Sequence, residues 1–183
     1  MSEEAIIRHC SPTLAGLKTG NLFTFYYPNR TAMQDAVREW NRRLHSKGIR
    51  VIPLRYRDKK ALIYLYRPSM LARDIKNQEV SSMLEERGYS LKSGENCIAH
   101  LIRRLAENEE FPHEIGLFLG YPPEDVRGFI NNKACGFKCV GYWKVYGEKE
   151  RAEKLFSRYK KCSEVYHNQW SKGKSIERLT VIV

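Results

Sequence analysis

The chain has 183 residues, 42% hydrophobic and 29% charged, and its 32 Lys and Arg against 21 Asp and Glu leave a formal net charge of +11. This composition excludes disorder and a collagen-like chain, and a prior of roughly 150 residues per domain makes a single domain, 1–183, the expectation. The longest apolar run, residues 61–66, falls far short of the roughly 18 residues of a membrane helix, and Met1-Ser2-Glu3-Glu4 lacks the regions of a secretory signal, so a cytoplasmic protein with no membrane partner is expected.

In chain order, the first feature is Cys10-Ser11-Pro12, ahead of a short helix expected at 13–17. Residues 21–27 read as a strand. Residues 31–47 give the clearest helix: Thr31 and Gln34 form a capping-box pattern, and Met33, Val37, Trp40 and Leu44 make one apolar stripe ended by Gly48. Residues 49–56 and 61–66 read as a hairpin around the polar turn Asp58-Lys59-Lys60. Pro68 opens a further helix, broken near Asn77 and ended by Gly88, and Cys97, Ile98, Leu101, Ile102 and Leu105 stripe the next. Two short proline-started helices follow at Pro112 and Pro123, then a strand at 140–146 and the longest helix at 148–171. The alternation of Leu179, Val181 and Val183 predicts a final strand. The expected fold class is α+β, a small mixed or mainly antiparallel sheet covered by helices, with a helix-turn-helix-like corner near 112–132.

Charge is unevenly placed. Residues 38–60 hold nine Lys and Arg against two acids, and 138–161 eight against three, whereas 77–137 hold six against ten. Two basic segments therefore flank an acidic middle, and such segments suit an anionic partner. Both carry interleaved aromatics, Arg55-Tyr56-Arg57 with Tyr64, Tyr66 and Arg67, and Tyr142-Trp143-Lys144 with Tyr146. On an open sheet face that alternation would stack bases and neutralise phosphates; with the aromatics turned inward it would only build a core. The corner itself is a poor groove reader, because Glu107, Glu109, Glu110, Glu114, Glu124 and Asp125 fall between 107 and 125 with no Lys or Arg.

Several chemistries are absent as motifs: there is no phosphate-binding loop, no dinucleotide fingerprint and no nucleophile elbow. His113-Glu114 begins like a zinc-protease motif, but Leu117 stands where the second histidine is required. Five cysteines, Cys10, Cys97, Cys135, Cys139 and Cys162, are too irregular for a disulfide framework, and Cys135 and Cys139 need a turn at Gly136 to meet. No metal site and no cofactor is nominated. Cys10 ahead of a helix start is the one thiol placed for activation.

Four blocks carry a family resemblance: Cys10-Ser11-Pro12-Thr13-Leu14-Ala15-Gly16-Leu17-Lys18; Tyr64-Leu65-Tyr66-Arg67-Pro68; Phe111-Pro112-His113-Glu114-Ile115-Gly116-Leu117-Phe118-Leu119-Gly120-Tyr121-Pro122; and Cys139-Val140-Gly141-Tyr142-Trp143-Lys144-Val145-Tyr146. They resemble a bacterial family of short cytoplasmic proteins known only as a domain of unknown function. Val140 departs from its pattern, standing between the cysteine and Gly141. The resemblance implies a stand-alone protein of this length and no established activity. If the family shares a pocket, its polar candidates here are Cys10, Thr13, Lys18, Arg67, His113, Glu114, Tyr142 and Lys144.

The leading expectation is a non-catalytic binding protein for an anionic partner, nucleic acid or another polyanion, through segments 38–60 and 138–161. Its contacts would be Arg42, Arg43, Arg55, Arg57, Arg67, Lys144 and Arg158, with Tyr56, Tyr66 and Trp143 stacking. The alternative is a thiol- or metal-dependent enzyme, or a small-ligand-binding protein, centred on Cys10 and His113 with Glu114. A protein partner docking on the acidic corner is the third.

Overall fold

Two β-rich runs separated by Asp58 and Lys59 dictate a tight hairpin. Both turn residues take positive φ, 51° and 60°, the conformation whose twist matches the flanking strands. In the computed structural model, which describes residues 1–107 and 111–183, this hairpin is β2 (Arg50–Arg57) and β3 (Lys60–Tyr66). β1 (Gly20–Tyr26) pairs antiparallel with the free side of β3, giving the order β1-β3-β2. β3 is therefore central. Its Ala61, Ile63 and Leu65 bury on one face and its Leu62, Tyr64 and Tyr66 on the other, so a continuously apolar strand serves two cores at once. Pro53 lies in edge strand β2, beside a bulge that sends Leu54 into the second core.

The first face is covered by α1 (Glu3–Leu14), α2 (Arg30–Leu44) and α9 (Ile176–Leu179), with the long α8 (Lys149–Ser171) packed along α1. The second is covered by α3 (Pro68–Ile75), α4 (Gln78–Glu85), α5 (Gly94–Glu107) and the corner α6 (Ile115–Phe118) to α7 (Pro123–Asn131). Asn77 caps α4 through Glu79 N and Val80 N, which is why the helix opened by Pro68 breaks there. Tyr64 anchors the corner to the sheet by donating its hydroxyl to Phe118 O. The fold is thus α+β with a small antiparallel sheet.

Four local expectations change. The cap of α2 is Asn29, whose side chain accepts from Ala32 N at 2.8 Å, and not the Thr31–Gln34 box. The helix expected at 13–17 is instead α1, capped by Ser2, with Ile6, Ile7, Cys10 and Leu14 inward and Pro12 tolerated in the last turn. Cys10 consequently sits mid-helix and gains nothing from a helix start. The strand expected at 140–146 is a two-rung ladder, β4 (Cys139–Val140) with β5 (Lys144–Val145), because Gly141 folds the chain back. The final strand is replaced by α9, where Ile176 and Leu179 pack at helical spacing, and a tail held by Val181 N to Leu14 O at 3.1 Å. The helix-turn-helix-like corner is present, but its first helix is one turn long, and Glu109 and Glu110 of the acidic run lie outside the described residues.

Arg67 follows β3 and is 0% exposed. Its guanidinium donates to Thr13 O (2.7 Å), Leu14 O (2.8 Å), Lys47 O (3.1 Å) and Val181 O (2.8 Å), so the charge rests on four carbonyls, two of them at the negative end of α1. Burial draws its pKa below the ordinary value, but a guanidinium remains charged. Replacing Arg67 by Met should therefore lower unfolding stability by about 3–5 kcal/mol, read by urea denaturation, because four charge-assisted hydrogen bonds that join three separate segments are lost together. A loss below about 1 kcal/mol would contradict that account.

Candidate ligand-binding site

The loop from α1 to β1 decides where the cavity lies. Gly16 turns the chain at φ +70°, Leu17 N donates to Pro12 O at 2.9 Å, and Arg67 N donates to Thr19 O at 2.9 Å. Lys18, held between those anchors, is 4% exposed. Gly120, at φ +74°, brings the corner onto this loop; a Cβ there would stand 2.8 Å from Thr19 Oγ1. Thr19 Oγ1 in turn donates to Asp74 of α3.

These segments enclose a cavity of about 450 Å³, walled by Leu17, Met70, Leu117 and Leu155 with Tyr121, Trp143 and Tyr159. That is a size suited to a small molecule. The first turns of α4, α7 and α8 reach its mouth through Glu79, Glu124 and Arg151. α7 and α8 have no side-chain cap, so the positive ends of two helices face the mouth.

Lys18 is the unusual group in this lining. Among the described residues its ammonium has neither a hydrogen-bond partner nor an ion-pair partner; it lies 5.1 Å from the centre of the Tyr121 ring. Burial pushes its pKa down to about 8, with a smaller opposing pull from Cys10. That pull needs a thiolate, and burial drives the Cys10 thiol far above its ordinary value. Near neutral pH Cys10 therefore gives Lys18 no counter-charge.

Asp125 explains how the β4–β5 ladder is fixed beside the cavity. Buried at the start of α7, it accepts from Trp143 Nε1, Tyr146 N and Gly147 N, each at 2.7 Å. Trp143 is thereby stacked on Tyr121, ring centres 4.5 Å apart. Tyr121 and Trp143 also wall a second, more apolar cavity of about 340 Å³, lined by His113, Phe129, Tyr142 and Lys144.

The nominated enzyme residues do not assemble. Cys10 is fully buried in the core under α1 and α2, whereas His113 sits by the second cavity, edge-on to Phe129 at 4.8 Å. A buried neutral thiol is no nucleophile. Glu114 is buried too, accepting from Tyr89 Oη at 2.9 Å and lying 2.7 Å from Arg104 Nε, so it ties α5 to the corner. Among the described residues no group of three or more His, Cys, Asp or Glu could hold a metal ion.

Most of the nominated polyanion contacts already have partners within the protein, though Arg42 and Arg57 make theirs at the exposed surface. Arg42 makes a two-pronged pair with Glu39 at 2.9 and 2.6 Å, and Arg43 pairs with Glu3 and, at 2.5 Å, with Glu177. Arg57 stands beside Asp58 at 3.5 Å, Arg67 is enclosed, and Lys144 Nζ donates to Ala134 O at 2.8 Å. Tyr56 is half-buried, Tyr66 is buried and stacked on Tyr64, and Trp143 is 8% exposed. Arg55 and Arg158 remain exposed. Tyr66 and Trp143 are corrections as stacking residues, because stacking bases needs an open face: helices cover the sheet face that carries Tyr66, and Trp143 is packed between Tyr121 and Phe156 in a separate small core beside α8.

Reasoning from residues alone missed Asp74, Tyr121, Arg151 and Tyr159 as cavity residues, since each reads as part of an ordinary helix or turn. Lys18 was reachable only through the family blocks, although its bracketing by Gly16 and Gly20 is a signal that the chain turns sharply around it. The family model described as protein of unknown function (DUF3793) matches residues 6–180. The chain belongs to this family. The match takes in every residue of the cavity lining. No curated protein and no solved structure matches the chain.

Thiol exposure gives a direct check. With iodoacetamide, exposed Cys135 should be alkylated first, and Cys10 and Cys97 only once the protein is denatured. Early labelling of Cys10, read by peptide mass spectrometry, would contradict its burial.

Proposed function

We propose that this protein is a non-catalytic binding protein for a small anionic ligand, held in the cavity with its negative group against Lys18. The observation that carries this is Lys18, a residue 4% exposed that lines the cavity, whose ammonium has no carboxylate or carbonyl partner among the described residues and meets only the Tyr121 ring. A charge largely withdrawn from water and answered only by an aromatic face is costly. The same chain shows how it satisfies a buried cation for structural ends: Arg67 has four carbonyl acceptors. Lys18 has none among the described residues, and it lines a cavity. A ligand anion is the missing partner. The small-ligand reading is favoured over nucleic acid because the aromatic and most basic side chains nominated for a polyanion are already engaged.

The proton linkage has a definite sign. A bound anion favours the charged lysine, so affinity should be full below pH 8 and fall about tenfold per pH unit above it, until the raised pKa of the complex is reached. The stability of the free protein should run the other way. The unfolded chain holds the Lys18 proton up to about pH 10.5 and the folded chain only to about 8, so stability should rise with pH between those values.

Lys18→Met tests both. Titration calorimetry with acetate, butyrate and inorganic phosphate should show binding to the wild type and none to the variant. The variant should be more stable at pH 7 by about 3 kcal/mol, the equivalent of the lysine's depressed pKa. A variant that is less stable, or that binds these anions as well as the wild type, would remove the basis of the reading.

A further inference from the structure

Lys18 stands at the floor of the cavity, but the charges at its mouth have the opposite sign. Glu79, Glu124 and Glu148 line the mouth and are exposed. Of the two guanidiniums there, Arg73 is paired with the adjacent Asp74 at 3.2 Å. Arg151 has no ion-pair partner among the described residues. One guanidinium against three carboxylates leaves the mouth negative over a positive floor.

Each of the three acids begins a helix: Glu79 is in the first turn of α4, Glu124 in the first turn of α7, and Glu148 stands at the N-cap position of α8 without a side-chain cap bond. The helix dipole accounts for an acid at each of these places. It does not remove the field that the three set where the helices converge. Glu124 is held there by a close approach: a Cβ on Gly147 would stand 2.7 Å from Glu124 Cγ, so the side chain lies flat on the Gly147 backbone. Between floor and mouth the wall is aromatic, with Tyr121, Trp143 and Tyr159, which suits a hydrocarbon spacer and a cation alike.

We propose, resting on the reading of this cavity as an anion site, that its ligand is a zwitterion of amino-acid type, with the carboxylate against Lys18 and the ammonium among the mouth carboxylates. A ligand with a single negative charge would satisfy the floor and leave the mouth unanswered. A polyphosphate would carry several negative charges past Glu79, Glu124 and Glu148 to meet one ammonium. A molecule with one charge of each sign, set apart by a short chain, answers both ends.

The test is titration calorimetry on the full chain with a series of ω-amino acids, from glycine to aminohexanoate, beside carboxylates and amines of the same chain lengths. For at least one length the amino acid should bind roughly tenfold more tightly than the matching carboxylate, the combined effect of three exposed ion pairs of ordinary strength. The triple variant Glu79→Gln, Glu124→Gln, Glu148→Gln should abolish that advantage without weakening the binding of the carboxylate, whose affinity should rise modestly as the negative field at the mouth is removed. Its three sites are exposed, so the fold should persist, and circular dichroism checks that. If carboxylates bind through Lys18 as tightly as the amino acids at every length, the zwitterion assignment is overturned while the anion site stands. If neither class binds, both fall. If amines bind alone and Lys18→Met does not alter the affinity for amino acids, the orientation proposed here is wrong.

Discussion

The buried guanidinium of Arg67 is the constraint on which the other parts depend. Its side chain holds the last carbonyls of α1, the turn after α2 and the tail after α9, three places far apart in sequence. Its backbone N–H holds Thr19 O. The residues between those grips, from Thr13 to Thr19, are the loop that turns Lys18 inward. A single carboxylate partner for Arg67 would have tied it to one place only. Using carbonyls instead converts one charge into a joint between both layers of helices.

Much of the scaffold was legible because local chemistry and burial agree there. The apolar stripe of α2, the positive-φ turn at Asp58-Lys59, the Asn77 cap and the proline starts each act over a few residues, and they stand where pattern places them. Misreadings came where a short pattern fits two periods. Leu179, Val181 and Val183 alternate, but Ile176 and Leu179 also share a helix face, and packing chose the helix. Pro12 suggested a helix start; near the end of α1 it costs one hydrogen bond, which the buried stripe from Ile6 to Leu14 outweighs.

The site was harder to read for a different reason. Aromatic and basic alternation looks the same whether the aromatics face bases or face a core, and only the presence of helices on both sides of the sheet separates the two. Conversely, Lys18 carries no pattern of its own. Its importance comes from what is missing around it, and absent partners are a property of three-dimensional packing. Asp125 is similar: it looks like a surface acid at a helix start, yet its three bonds hold the β4–β5 ladder against α7. Two of the basic side chains nominated for a polyanion are also withdrawn from the surface, Arg67 by four carbonyls and Arg43 by Glu3 and Glu177.

The cavity lining comes from residues 17–19, the α3 and α4 region, the corner, Trp143 and α8. These segments are far apart in sequence, so the cavity forms only where the α1–β1 loop, α3, α4, the corner and α8 have packed together. Anything that occupied it would bridge all of these segments at once, and the stabilisation free energy would grow with the logarithm of its concentration above the dissociation constant.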